Sequence, residues 1–545
     1  MKQQSRTVVF WGAGATRALG IRATADQEKF IRTITATANP ARPLKDRIAE
    51  ALGKGIKKRW HDALFDLITI LGDTDGAYES ISEINAEQLE AMRRNWHKDA
   101  HNDELRKRII DLRLTYDWPA LKSVVSICPA STTDRFRLND LFNLLDMHIP
   151  PRFGVRAPST QLAEKFFDAR RLIGAKNALL TILIASFYID YQECIESNQE
   201  VLKQYRDFAV GLGRRLQSQS SELEAVHRLD APAFYQGDVG FVSLNYDPIL
   251  LWVQFLAHRK LNRSSKVPRV GSQLVPLHLF HDFGHLIPAR RIGRGDDDWP
   301  WYPLNEAAAQ RLNETKRGGD YKVRLTKFLF PHGCLCWREC PDCGKLSAYH
   351  GDDWELSAAG LFPPPPLQAF DRRPPPKWIT GEERKQRKKG KVDARKCLHC
   401  GTLTYAHHTQ VVMQSSFKPQ PTSFIEEIQR DLRATTVKMN HVIFMGYSLP
   451  PDDVTYRAFF SARQQRRGTK VRCTIVSKDD ENPDWYGPVA LRSRKFKESS
   501  PVKAACDIFG AENVRFYGGG IPEVFLDNGK VTDAKLDQLL TWRRA

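Results

Sequence analysis

The sequence predicts an α/β fold: a parallel sheet with helices on both faces, a large helical insertion and a small module built on four cysteines. Three observations predict it. Short β-branched runs end in Gly- or Asn/Asp-containing turns and lead into helical patterns, residues 43–232 are dominated by helical spacing of apolar side chains, and two C-x-x-C-G pairs stand far apart in the second half of the chain.

The β-rich runs are Thr7–Trp11 before GAGAT, Gly240–Ser243 before LNYD, His441–Met445 before GYSLPPDD and Val471–Val476 before SKDD. In a parallel sheet the loops that follow such strands emerge together at the carboxyl edge, where these folds bind ligands. A chain of 545 residues is too long for one simple core. The sheet domain is expected from residues 1–42, 233–333 and 405–545, the helical insertion from 43–232, and the cysteine module from 334–404.

Within the insertion, Trp60–Leu71 (WHDALFDLITIL) puts Leu64, Leu67 and Leu71 on one helical face, and Leu138–Met147 (LNDLFNLLDM) behaves likewise. These stripes read as the buried faces of a helical subdomain rather than as a ligand pocket. The longest apolar run, Ala178–Ile189 (ALLTILIASFYI), is interrupted by Thr and Ser and falls short of the ~20 residues that span a bilayer. It is expected to be a buried helix, with no membrane segment. The opening MKQQSRTVVFWGAGA passes straight into a strand pattern without a signal-peptide region, so a cytoplasmic protein is expected.

A net charge of +18, from 82 Lys and Arg against 64 Asp and Glu, should attract anions: nucleotides, nucleic acid or an acidic partner. Part of that charge sits in Leu361–Lys391, where two proline clusters precede KQRKKGK; this reads as a solvent-exposed loop. Ten cysteines are too few for a disulfide scaffold in a chain of this size, and their C-x-x-C pairing points to metal.

Four motifs carry candidate chemistry. In Gly12-Ala13-Gly14-Ala15-Thr16 the small residues would let a pyrophosphate approach backbone N–H groups at the start of a helix. The same loop reads equally as a tight turn, since Arg17 stands where a third glycine would. In SLNYD, Asn245 and Asp247 alternate after a strand and either face a ligand crevice or form an Asx turn that caps the next helix. Cys340, Cys343, Cys397 and Cys400 form two knuckles whose thiolates complete a closed, structural zinc tetrahedron. His332 in FPHGC is therefore not needed by the metal; Cys334 and Cys336 suit packing, and His399 is expected to face solvent.

Taken in order, GAGAT, SLNYD, FPHGCL, the C-x-x-C pairs and MGYSL resemble the sirtuin (SIR2) superfamily over Val8 to about Phe525. The resemblance implies a modified Rossmann-like sheet that binds NAD+, a zinc-ribbon module and an active site between them. It places Gly12, Ala13, Gly14, Ala15 and Thr16 at the diphosphate, and Asn245 and Asp247 at the nicotinamide ribose. His332 takes the place of the catalytic histidine, and Gly446, Tyr447 and Ser448 lie on the cofactor's far side. The chain departs from deacylases: Gly20-Ile21-Arg22-Ala23-Thr24-Ala25-Asp26 lacks their Pro-Asp-Phe-Arg segment, and VVMQSSFKPQP replaces their acyl-lysine strand. GYSLPPDD is similar to the form in SIR2-like proteins of bacterial anti-phage systems, which consume NAD+.

The expected function is hydrolysis of NAD+ to nicotinamide and ADP-ribose by an effector that depletes the cofactor. Asn245 would position water, His332 would act as base or orienter, and Asp247 would fix the ribose or stabilise its developing charge. Such an enzyme needs restraint, so a homo-oligomer or a partner protein from the same system is expected to gate it. A protein deacylase and a non-catalytic nucleotide- or nucleic-acid-binding module remain open alternatives.

Overall fold

A computed structural model describes residues 6–35 apart from 23, residues 117–158, 164–224 and 236–262, and most of 269–281, 324–348 and 411–542, together with short strands at 395–396 and 403–404. The expected helix at Trp60–Leu71, the Pro-rich basic stretch Leu361–Lys391, the four predicted zinc ligands, Cys336 and His399 lie outside the described residues.

The main sheet has eight strands: β1 (Thr7–Trp11), β2 (Gln236–Ser243), β3 (Leu277–His281), β4 (Arg324–Leu329), β5 (His441–Met445), β6 (Arg472–Val476), β7 (Trp485–Tyr486) and β8 (Val514–Tyr517). They lie in the order β7-β8-β6-β5-β1-β2-β4-β3. All neighbours pair in parallel except β7, which closes one edge antiparallel to β8. This is the α/β class that the sequence predicts, consistent with a Rossmann-like arrangement. The chain starts in the middle of the sheet, builds outward through β2 to β4, then crosses back to β5 on the other side of β1. Such a reversal opens a crevice at the strands' carboxyl ends.

Helices cover both faces because the strands are apolar on both sides. Phe10 of β1 packs edge-on against Phe460 of a helix on one face, while its neighbour Trp11 meets Tyr205 on the other. The first face holds Ser423–Lys438, Val454–Gln465 and Pro501–Phe509; the second holds Gln199–Ser218, Ile249–Asn262 and Asp533–Leu540. Among the described residues no helix is long and apolar enough to cross a membrane.

A second core lies beside the sheet. It is built by α1 (Thr24–Thr35), α2 (Trp118–Ser126), α3 (Leu138–His148), the hairpin Val155–Pro158/Glu164–Phe167 and the first half of α4 (Ala169–Ser197), and it takes in Met413. Leu138, Leu141, Phe142 and Leu145 are the buried stripe of α3, as their spacing predicts. The helix starts are satisfied by side chains. Asp117 accepts from Ala120 N at 2.8 Å, and Glu28 of α1 reaches across to accept from Leu138 N at 3.0 Å. The predicted buried helix Ala178–Ile189 falls inside α4. Its first half packs in the second core, through Leu172 and Leu179; Phe187 and Cys194 further along join the main core.

Ion pairs, among them the following two, fasten the second core. Arg22 Nε lies 2.8 Å from Asp190 Oδ1 of α4, and Lys176 Nζ lies 3.3 Å from Asp146 Oδ1 of α3. Burial drives the Asp146 carboxyl upward against the pull of Lys176.

Beyond β4, a short antiparallel pair Trp337–Glu339/Leu346–Ala348 flanks the sequence that carries Cys340 and Cys343. A second pair, Arg395–Lys396/Leu403–Thr404, flanks Cys397 and Cys400 in the same way. Cys334 is fully buried in the main core, the packing role its spacing suggested.

Candidate functional site

Four neighbouring strands, β4-β2-β1-β5, present PHG, LNYD, GAGAT and GYSL in turn at the carboxyl edge of the sheet. Their ends are level: Trp11 pairs with Ser243 on one side and with Met445 on the other. The motifs therefore converge on one cavity of about 330 Å³, within the ordinary range for small-molecule sites.

The floor is an interlock of two loops. Gly12 N donates to Met445 O at 2.9 Å, and Gly14 N donates to Gly446 O at 3.0 Å. A β-carbon on Gly12 would stand 2.5 Å from Gly446 O, and one on Gly446, where φ is +63°, would stand 2.1 Å from Ala15 N. The glycines are thus required by the meeting of two backbones. The amides of Ala15 and Thr16 turn inward as well, to Gly12 O and Ala13 O.

Above this floor sits a polar cluster. Asn245 Nδ2 donates to Gly12 O at 3.1 Å and to Thr16 Oγ1 at 3.3 Å. Thr16 Oγ1 in turn faces Ala13 O at 3.2 Å and Asp247 Oδ2 at 3.5 Å. Asp247 Oδ1 accepts from Ile249 N at 3.1 Å, so it is the Asx cap of helix Ile249–Asn262 and also lines the cavity. Both sequence readings of this residue hold together. His332 is 5% exposed, and its Nδ1 lies 3.3 Å from Leu244 O. A carbonyl can only accept, so this hydrogen bond requires a proton on Nδ1, and in the neutral ring the lone pair is then on Nε2.

Gly12, Ala13, Thr16, Asn245, Asp247, His332, Gly446, Tyr447 and Ser448 all line the cavity. Gly14 instead packs on Gly446, and Ala15 is buried in the main core. Sequence reasoning missed Arg22, Gln27, Tyr246 and Asp453, which line the same cavity. The PPDD that follows GYSL was a legible signal for Asp453, whose Oδ2 accepts from Tyr447 OH at 2.7 Å. The far wall comes from the insertion: Leu138, Phe142, Leu180, Leu183 and Phe187. The α3 stripe, expected to serve only a helical core, therefore does two jobs.

No family model matches the chain, and no curated protein matches its sequence. Among the described residues no group of three His, Cys, Asp or Glu side chains is placed to hold a metal. The four predicted thiolate ligands lie outside that set.

Burial pushes the Asp247 carboxyl from its usual 3.8 up to about 6, against the hydrogen bonds from Ile249 N, Asn245 and Thr16. The folded state therefore favours the protonated form, and Asp247 contributes a stability loss that develops as pH rises between about 4 and 6. Asp247→Asn keeps the Asx acceptor and removes the charge. It is expected to raise unfolding stability at pH 7.5 by about 2–3 kcal/mol and to give no gain at pH 4. Urea unfolding at both pH values checks this; an equal effect at both would refute it.

Proposed function

We propose that this protein is a SIR2-like NAD+ glycohydrolase, an effector of anti-phage defence that depletes NAD+ when triggered. The observation that carries the reading is the convergence of four motifs, from four adjacent strands, on one cavity. Motif order in the sequence and the chemistry of the cluster support the same activity.

Hydrolysis breaks the bond between the ribose C1′ and the nicotinamide nitrogen, and the bonding pair leaves with nicotinamide. Water adds its oxygen to C1′, and its proton must be accepted. His332 Nε2 carries the lone pair for that step, because Nδ1 is committed to Leu244 O. Asn245, fixed by Gly12 O and Thr16, orients water or a ribose hydroxyl. Asp247, titrating near 6, supplies negative charge to the oxocarbenium-like ribose above that pH and loses it below. The apolar wall from α3 and α4 lines the rest of the cleft with Leu138, Phe142, Leu180, Leu183 and Phe187.

Two C-x-x-C pairs, each in the sequence between the strands of a short antiparallel pair, suit a tetrahedral zinc ion. Cys340, Cys343, Cys397 and Cys400 would hold it, and such a closed site stabilises the module's fold. Cys340→Ser is expected to lose bound zinc and lower the melting temperature, whereas variants of His332 keep the metal. Metal analysis beside thermal unfolding checks both. A homo-oligomer or a partner from the same defence system is proposed to gate activity, and the net charge of +18 favours anionic partners such as nucleic acid.

The reading is tested by incubating the purified chain with NAD+, alone and with infected-cell extract as activator, and resolving nicotinamide and ADP-ribose by chromatography. Release of both supports it. Intact NAD+ under every condition sinks it, and O-acyl-ADP-ribose formed only with an acyl-lysine peptide would replace it with a deacylase.

A further inference from the structure

Tyr246 stands between Asn245 and Asp247, and its side chain leaves them. Those two residues are 7% and 8% exposed and belong to the polar cluster around Gly12 and Thr16. Tyr246 instead sends its hydroxyl to Val412 O, 3.0 Å away on the chain that returns from the cysteine module. Val412 N donates to His332 O at 2.8 Å, and His332 Nδ1 returns to Leu244 O, two residues before Tyr246. Leu244, Tyr246, Val412 and His332 thus close a ring of three hydrogen bonds.

That ring fixes both the backbone and the side chain of His332. The outgoing and returning chains of the module also pair at this point, through the antiparallel bridge Gly333–Val411. Val412 is held on both polar groups of its backbone, and Tyr246 makes the one contact in the ring through a side-chain hydroxyl. The tyrosine ring lies 6.5 Å from the imidazole, and Tyr456 lies 5.4 Å from it.

We propose that Tyr246 is a positioning residue: through Val412 it sets His332 against Asn245 and Asp247. The proposal rests on the glycohydrolase reading for its kinetic consequence and on geometry alone for its structural one. Small displacements of a catalytic group cost rate far more than binding, so the loss should fall on turnover.

The experiment is Tyr246→Phe in the full chain, which removes one hydroxyl and keeps the ring. Under activating conditions kcat for NAD+ cleavage is expected to fall roughly 10- to 100-fold, with KM changed by less than about threefold. Hydrogen exchange of the Val412 amide, read by mass spectrometry on peptides covering 411–415, is expected to accelerate. A kcat within about twofold of the parent, a loss confined to KM, or unchanged exchange at Val412 would overturn the proposal. If the parent cleaves no NAD+ at all, the functional reading fails. The exchange measurement then decides the positioning role by itself.

Discussion

His332→Ala is expected to lower NAD+ cleavage by roughly 10²–10⁴-fold, the range that general acid–base groups contribute, while the protein stays folded. The stability cost should be small for a buried residue. The side chain already borders the cavity, so truncation enlarges an existing space, and one hydrogen bond to Leu244 O is lost, worth about 1 kcal/mol. NAD+ turnover measured beside urea unfolding separates the two effects. A variant that retains full activity would remove His332 from the chemistry, and one that fails to fold would make its role structural.

The largest stability effect is expected at Gly446. A methyl group there would meet Ala15 N at 2.1 Å and Gly14 C at 2.4 Å, both backbone atoms, at a φ of +63°. Neither can rotate aside, so β1 and β5 would have to separate at the point where their loops interlock. Gly446→Ala should cost about 3–5 kcal/mol, from overpacking added to left-handed strain. Gly529 provides the control, because its φ is +76° and nothing lies within 4 Å of an added carbon. Gly529→Ala should cost only about 1 kcal/mol. Equal shifts of the two unfolding midpoints would refute the argument from contact.

Some strands were legible in the sequence and others were not, for reasons visible in their side chains. Thr7–Trp11 and His441–Met445 each carry four consecutive apolar residues after a polar first one and are buried at every position, so the bounds read from the sequence match the strands. The strand read as Gly240–Ser243 begins earlier, at Gln236. Its first residues, QGD, look like a turn, and the pairing with β4 is irregular between Gln236 and Gly240. β4 and β8 carry no clear strand signal in the sequence, because cations interrupt them: Arg324 and Lys327 in β4, Arg515 in β8. Arg324 is fully buried and donates to Leu216 O at 3.0 Å; Arg515 is 4% exposed and donates to Leu539 O at 2.7 Å at the end of a helix. A buried guanidinium that donates to a distant carbonyl carries no signal in local hydropathy.

The same division holds in the cavity. Gly12, Asn245, His332 and Gly446 are legible because each sits in a short motif directly after a strand. Arg22 and Phe187 reach the cavity through packing between the sheet and α4, which no local spacing encodes. Tyr246 was in view in the motif, but its role depends on Val412, 166 positions away.

The interlocked floor also decides where this cleft can be redesigned. Gly12 and Gly446 meet backbone to backbone and offer no side chain to vary, and a replacement at either would disturb the joint between two central strands. The opposite wall is made of helix side chains, Leu138, Phe142 and Leu183 among them, which can be exchanged for other apolar shapes at modest cost. Natural drift or laboratory selection for a different ligand should therefore accumulate in the insertion and leave the two glycine loops untouched.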